Sequence, residues 1–446
     1  MNKKIFLSLV LLSSLNSKEL FTPEKISEFL NESNPFFETL FNSEKVAKEK
    51  IKQKQSSFDT RLSGKIEDKE YPKSVAEYDE IFVKKKFENG LEFLTGYRKS
   101  IGTQEYNNIK TGEKGEMLFG LKMPIFQFFG GTNRAKTDLE IANLESLRSK
   151  FSSKDELRKL YLQIVKSYFS LLENSLVLNL EEKLYKKANK RKEFIEKRVK
   201  NGSLPRITLL EIRQTILNRE NRVLSAKRDL KNSLREFVKF LNISTDEFEE
   251  KFYLKNSVQV EFVNFNFDEI LQIAKENRPD LKMLDYQKEK FQKELKNAKL
   301  LKYPDLDLSL YGVHDFKYGD GFKVSLNMNF PIEQNQYEGK LGETLQNLGN
   351  IRKLREKKIA EISTALQNTL FSLETLKGNL ENRREELELV RELEKAENLK
   401  YEVGTSNLFF VNAREIQTLQ IEKTLLQEKF KYLVFLEKLR TEIGYF

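Results

Sequence analysis

The 446-residue chain has no cysteine, no tryptophan, a single histidine and only eight prolines. Without cysteine, disulfides, zinc–thiolate sites, thiol nucleophiles and a lipid-modified N-terminal cysteine are all excluded. With His314 alone, a transition-metal site needs carboxylates from several chains, and no metal or other cofactor is expected. The phosphate-binding pattern G-x-x-x-x-G-K-[ST] is absent. No nucleophile, base and orienting group share a usable spacing, so the chain does not read as an enzyme. Long apolar runs are also missing: 33% of residues are charged and the mean hydropathy is −0.59, which excludes a helical inner-membrane protein. The one apolar run, residues 5–12, follows Lys3 and Lys4 and precedes small polar residues up to Ser17. It is too short to span a bilayer and reads as a secretory signal peptide, residues 1–17; a buried N-terminal strand is the alternative. The net charge of +10 is spread among acidic residues, as in Arg383, Arg384, Glu385 and Glu386. Such interleaving marks a solvated helix face, and no nucleic-acid partner is expected.

What the chain does have is alternation and long helical seams. In residues 322–330, Phe322, Val324, Leu326, Met328 and Phe330 alternate with Lys323, Ser325, Asn327 and Asn329. Residues 305–312 alternate likewise, with Asp305, Asp307 and Ser309 on the polar side. Period-two alternation puts one face in an apolar medium and the other in water. About nine residues is also the length a tilted strand needs to cross a bilayer. Pro304 and Pro331 bound this hairpin. Beyond it, apolar residues recur at threes and fours through Ile359, Ile362, Leu366, Leu370, Leu373, Leu376, Leu380, Leu387, Val390 and Leu393, a coiled-coil seam. At 1.5 Å per residue such a helix is roughly 90 Å long. Gly404 ends it, and Thr405, Ser406 and Asn407 offer caps for a returning helix.

The same order of elements occurs earlier in the chain. Met123-Pro124-Ile125 lines up with Phe330-Pro331-Ile332, and Gly202 with Gly404. The expected organisation is a helical segment at 18–57, first-hairpin strands at 58–66 and 116–125 with 67–115 as an inserted long loop or extended strands (one strand-like run, 91–97, sits inside it), and a helical hairpin at 131–241. A connector at 242–277 leads to a helix at 278–303, hairpin strands at 305–312 and 322–330, and a second helical hairpin at 338–443. The chain thus reads as mainly α with a small β part: a tandem repeat of long antiparallel α-hairpins plus four membrane strands. Four strands cannot close a barrel and open edges are not tolerated in lipid. Eight strands from a dimer leave almost no lumen, whereas twelve from a trimer enclose a channel, with Asp305, Asp307, Ser309, Lys323, Ser325, Asn327 and Asn329 facing the lumen. A homotrimeric twelve-stranded β-barrel, with the helices closing into an α-barrel, is the expected assembly. The rival reading is a structural coiled-coil or surface protein without channel activity. A periplasmic adaptor needs a lipoyl-like β-domain, and none is readable.

Four short motifs recur in a telling order: Leu121-Lys122-Met123-Pro124-Ile125-Phe126 before Gly130-Gly131, Arg278-Pro279-Asp280-Leu281, Tyr303-Pro304-Asp305-Leu306, and Tyr401-Glu402-Val403-Gly404-Thr405. Together they resemble the TolC-like outer-membrane efflux proteins of Gram-negative bacteria, over residues 115–245 and 278–446 and more weakly over 30–66. The resemblance implies a homotrimeric conduit in the outer membrane, extending into the periplasm. Such a conduit serves efflux or type I secretion, partnered by a periplasmic adaptor and an inner-membrane transporter that supplies the energy. It also implies that both glycine turns lie at the periplasmic tip, where the tube closes and meets the adaptor. Tyr401, Gly404 and Thr405 match the tip pattern. Ser406 stands where some members carry arginine, and Phe410 and Ala413 stand where some carry an acidic ring. Gly202, Ser203, Leu204, Arg206, Thr208 and Glu211 form the corresponding first-half tip. The expected gate is therefore an apolar constriction at Phe410, with Glu211 nearby, rather than a carboxylate ring.

Overall fold

The structure, a computed structural model, describes residues 18–31, 33–103 and 109–445. The expected signal peptide lies outside the described residues. Contacts divide the chain into two units. One, the sheet unit, comprises Leu40–Asp155 and Arg278–Glu361; the other, the helix unit, comprises Met1–Thr39, Glu156–Asn277 and Ile362–Phe446.

In chain order the elements begin with β1 (Glu19–Leu20), a 3-10 turn (Pro23–Phe29) and α1 (Pro35–Gln55). Four strands follow: β2 (Thr60–Tyr71), β3 (Ser74–Lys86), β4 (Glu92–Gly102) and β5 (Glu116–Pro124). Next come α2 (Ile125–Phe129), α3 (Arg134–Lys200), α4 (Ile207–Leu241), α5 (Thr245–Lys251) and β6 (Phe252–Tyr253). The second half holds α6 (Phe267–Asn277), α7 (Pro279–Leu300), β7 (Asp305–Asp315), β8 (Gly319–Asn329), α8 (Asn335–Glu402) and α9 (Leu408–Glu442). Helix lengths pair off between the halves: α3 and α8 have 67 and 68 residues, and α4 and α9 have 35 each.

The sheet unit is built on one antiparallel sheet of six strands in the order β2-β3-β4-β5-β7-β8. Of the two readings of residues 67–115, extended strands are found and the inserted loop is corrected. Much of that stretch is strand rather than loop, and the first-half strands β2 and β5 are separated by β3 and β4. The count of four strands per chain, on which a twelve-stranded closure rested, becomes six. The physical reason lies in the inserted strands. Apolar residues fall on both faces of β3, Ile81 and Val83 on one and Tyr78 and Phe82 on the other, which blurs the alternation. Gly96 resembles a loop signal but makes room inside β4: a Cβ there would lie 2.4 Å from the Phe82 ring. The β3–β4 turn is tight, with Gly90 at φ +92°. Asn133 holds it by donating to the Glu88 carbonyl (2.9 Å) while its carboxamide oxygen accepts from Lys136 N (2.9 Å) at the start of α3. Asp315 ties the β7–β8 turn to the β4–β5 connection, accepting from the backbone N–H of Gly112, Lys317 and Tyr318 at 2.8–3.0 Å. The helical part of this unit is joined by the Phe151–Tyr286 stack (5.5 Å) and by Lys290–Glu145 (2.6 Å) and Arg355–Asp285 (2.8 Å).

In the helix unit the expected seam of α8 is largely buried: Ile362, Leu366, Leu373, Leu380, Leu387 and Val390 are inside, whereas Leu393 is exposed. The connector is more ordered than its sequence indicated. It contains α5, and β6 pairs in parallel with β1. Phe21, fully buried, anchors this junction among Tyr168, Phe237, Phe248 and Phe252, with ring centroids 5.1–5.7 Å away. Its carbonyl accepts the Tyr168 hydroxyl at 3.0 Å. Phe21→Ala is expected to cost about 3–5 kcal/mol, read as loss of unfolding free energy in a denaturant titration followed by circular dichroism. A loss below about 1 kcal/mol would mean that the cluster does not hold this junction.

Candidate functional site

The registers sort the sheet into two unlike faces. One carries Leu62, Ile66, Ile81, Val83, Phe93, Met117, Phe119, Leu121, Leu308, Leu310, Phe322, Val324, Leu326 and Met328, so an apolar band crosses all six strands. Many of these side chains are exposed, Ile66 and Phe322 to 85%. A continuous exposed apolar face is not what a water-facing sheet presents. The opposite face gathers the seven residues expected to share it: Asp305 pairs with Asn329, Asp307 with Asn327, Ser309 with Ser325, and Lys323 with Tyr311. Asp307 is ion-paired to Lys122 at 2.8 Å. The same polar face continues over the inserted strands as a row of alternating charge, Lys65, Glu80, Arg98 and Glu116, each opposite the next. At the helical end of the sheet stand Phe126 stacked on Tyr303 (5.2 Å), the edge-to-face pair Phe128 and Phe129, and exposed Phe330 and Ile332. At the far end Tyr71, Phe316 and Tyr318 are exposed. Aromatic residues therefore flank the band on both sides.

In the helix unit the two glycine turns have the same construction. Gly202 and Gly404 adopt φ +72° and +85° in open space, the left-handed conformation that ends a helix. The amide after each glycine bonds back over the last turn, Ser203 N to Arg198 O (2.8 Å) and Thr405 N to Lys400 O (2.9 Å). Asn407 caps α9 through the Phe410 N–H (3.2 Å). Beneath the turns Ile195, Ile212, Tyr401, Leu408 and Val411 form one core with Leu204 packed against it. The structure thus brings both turns together, but not every expected residue faces outward. Gly202, Ser203, Arg206, Glu211, Gly404, Thr405 and Phe410 are exposed; Thr208 and Tyr401 are buried; Ser406 is half-buried and donates to Glu397. Burial pushes the Tyr401 phenol above its ordinary pKa. Phe409, 73% exposed and edge-to-face with Phe410 at 5.7 Å, joins the surface and escaped sequence reading; Val403, part of the tip motif, is exposed as well.

Further along the same four helices lies a buried charge cluster that the sequence reading also missed. Glu415, 1% exposed, bridges Arg191 of α3 (2.6 Å) and Arg219 of α4 (2.6 Å). Arg191 also donates to Asn398 of α8 (3.2 Å), and Arg219 to Asn412 of α9 (3.1 Å) and to the Leu184 carbonyl (3.0 Å). Each charge occupies a seam position among apolar residues: Leu184, Ala188, Arg191, Ile195 on α3; Ile212, Arg219, Val223 on α4; Leu408, Val411, Glu415, Leu419 on α9. Three charged residues at seam positions were the signal available. Burial pushes the pKa of the Arg219 guanidinium down, and the facing Glu415 carboxylate works against that shift. Burial works against the Glu415 carboxylate, but the bonds from Arg191 and Arg219 outweigh it and hold its pKa below the ordinary range. Removing the carboxylate strands two buried cations, so Glu415→Ala is expected to cost about 3–5 kcal/mol. Because the folded-state pKa is depressed, this contribution is full above the unfolded value of about 4.3 and is lost as pH falls through the folded one. The difference in melting temperature between wild type and Glu415→Gln should therefore be constant near neutrality and shrink in acid; a pH-independent difference would contradict the clamp.

Among the described residues no group of three or more His, Cys, Asp or Glu side chains is arranged to hold a metal, and no helix is long and apolar enough to cross a membrane. No protein family matches the sequence, and no curated protein matches it. Solved structures do match. A membrane protein from Pseudomonas aeruginosa is similar over 96% of this chain and 91% of its own, with TM-score 0.70 and 12% identity. The outer membrane protein VceC of Vibrio cholerae is similar over 95% of both chains, with TM-score 0.68 and 14% identity. The CmeC outer membrane channel of Campylobacter jejuni is similar over 95% of this chain and 85% of its own, with TM-score 0.67 and 13% identity. Over nearly its whole length, then, the chain has the fold of the TolC-like outer-membrane channels.

Proposed function

We propose that the chain is one subunit of a homotrimeric channel in the outer membrane of a Gram-negative bacterium. Its sheet lines the membrane pore, and its helices form a duct reaching into the periplasm. The channel is a passive exit route. A periplasmic adaptor joins it to an inner-membrane transporter that drives efflux or type I secretion. The observation that carries this reading is the sheet with one apolar face, one polar face and aromatic residues at both ends, the pattern of a strand wall between lipid and water. The shared fold supports it. The matched helix lengths and the like-built turns at Gly202 and Gly404 support an internal duplication.

The glycine turns, in this reading, form the periplasmic tip that meets the adaptor. Gly202, Ser203, Leu204, Arg206, Thr208, Glu211, Tyr401, Gly404, Thr405 and Ser406 build it, and the rings of Phe409 and Phe410 narrow it. The buried clamp of Arg191, Glu415 and Arg219 holds the two hairpins of each subunit together behind that constriction. Asp305, Asp307, Ser309, Lys323, Ser325, Asn327 and Asn329 face water in the pore.

Purified trimers reconstituted in planar bilayers are expected to conduct in discrete steps. Phe410→Ala should raise single-channel conductance several-fold, and Phe409→Ala with Phe410→Ala further. A protein that stays in the soluble periplasmic fraction, or that never conducts, would overturn the channel reading. Conductance unchanged in both variants would overturn the gate alone.

A further inference from the structure

We propose that all six strands of each chain enter the membrane wall, and that the β8 edge of one copy pairs with the β2 edge of the next, so that a trimer closes as an eighteen-stranded barrel. This rests on the trimeric channel proposed above and concerns how its wall is made. The inserted strands are full members of the sheet. β3 is paired along β2 from Lys85–Thr60 to Ser74–Tyr71, and β4 along β3 over eleven pairs. Their turn is held beside the first residues of α3 by Asn133, so both run the height of the wall. Their polar-face residues extend the charge row of their neighbours without a break.

The two outer strands have the marks of unfinished pairing. Both faces of β2 and β8 are open, with Leu62 and Ile66 on one strand and Phe322, Val324, Leu326 and Met328 on the other exposed by 57–85%. Those six side chains lie on one face of the sheet. Chain direction suits the joint, because β2 and β8 run oppositely across the sheet, so β8 meets a neighbouring β2 antiparallel.

The position of the apolar band gives the tilt. On β2 it is centred near Gly64, between Leu62 and Ile66; on β8 it is centred near Ser325. Following the hydrogen-bonded row from Ser325 leads through Ser309, Lys122, Glu92 and Lys86, and Lys86 lies one residue beyond the Lys85–Thr60 pair. The row therefore reaches β2 at position 59, about five residues below the band centre. A slide of about five residues, at ~3.3 Å each, over five strand spacings of ~4.8 Å is a tilt of about 35°, inside the range of closed barrels. Carried one strand further, the same slide sets Ser325 opposite Ser63 or Lys65 of the next copy, polar face to polar face. Eighteen strands at this tilt enclose a backbone diameter of roughly 34 Å, against roughly 23 Å for twelve.

The chain has no native cysteine, so introduced thiols report alone. Ser325→Cys combined with Ser63→Cys or Lys65→Cys, oxidised or treated with a short bis-maleimide in outer-membrane vesicles, is expected to give a ladder ending at covalent trimer. A control pair, Leu94→Cys with Ser325→Cys, tests a wall in which β2 and β3 stand aside and β4 forms the edge. Linking by the control pair but not by the β2–β8 pairs would overturn the proposal and leave the trimeric channel standing. A β2–β8 ladder that stops at covalent dimer would overturn both the threefold channel and the count of eighteen. Intrachain linking only, with a native mass of one subunit, would overturn the proposal and the trimeric channel together.

Discussion

A sheet edge has backbone N–H and C=O groups with no partner, and hydrocarbon offers none. Each such group left bare in lipid costs several kcal/mol, so an apolar-faced sheet must either stay out of the bilayer or close on itself. β2 and β8 are the two edges here, and the apolar band runs out to both. Six strands are too few to enclose water. In the proposed channel the edges are supplied by further copies of the same chain. The polar face, with its cross-strand charge row and the Lys122–Asp307 pair, then has water to face. The aromatic residues at either end then stand where a bilayer meets water.

The helix unit solves a different problem with a related device. Long amphipathic helices with repetitive seams can slip by a turn, because one leucine resembles the next. Charges placed at seam positions remove that freedom, since a shifted register would leave a buried guanidinium facing hydrocarbon. Glu415 with Arg191 and Arg219 engages three of the four helices, and Asn398 brings in the fourth. The left-handed glycines at 202 and 404 end the helices cleanly above an apolar core, so the exposed surface of the turns is free to carry Phe409, Phe410 and Val403. Buried charge ties the four helices together, and the exposed surface of the turns is left to the loop-proximal residues.

Much of this was legible in the chain because the relevant signals are local. Alternation in 322–330, prolines at strand ends, threes and fours along α8 and glycines at the turns each report on a few neighbouring residues, and β8, α8 and the turns at Gly202 and Gly404 occupy those stretches. β3 was missed because its apolar residues serve two faces, and β4 showed only as the strand-like run 91–97 in a stretch punctuated by glycines such as Gly96. Its role, making room for Phe82 of the adjacent strand, depends on a residue fourteen positions away. Phe21 was unreadable for the same reason, since its partners at 168, 237, 248 and 252 converge only on folding. The Arg191–Glu415–Arg219 cluster left a trace, charges at seam positions, that only a pairing across more than two hundred residues makes intelligible.

The most direct test is electron cryomicroscopy of the full-length protein, extracted from outer membranes and placed in lipid nanodiscs. The expected density is a closed β-wall at the height of the disc, contributed by three copies, with the apolar band against lipid and Lys65, Asp307 and Ser325 towards a central opening. A single copy, or a sheet lying outside the disc with both edges unpaired, would contradict the account at its root.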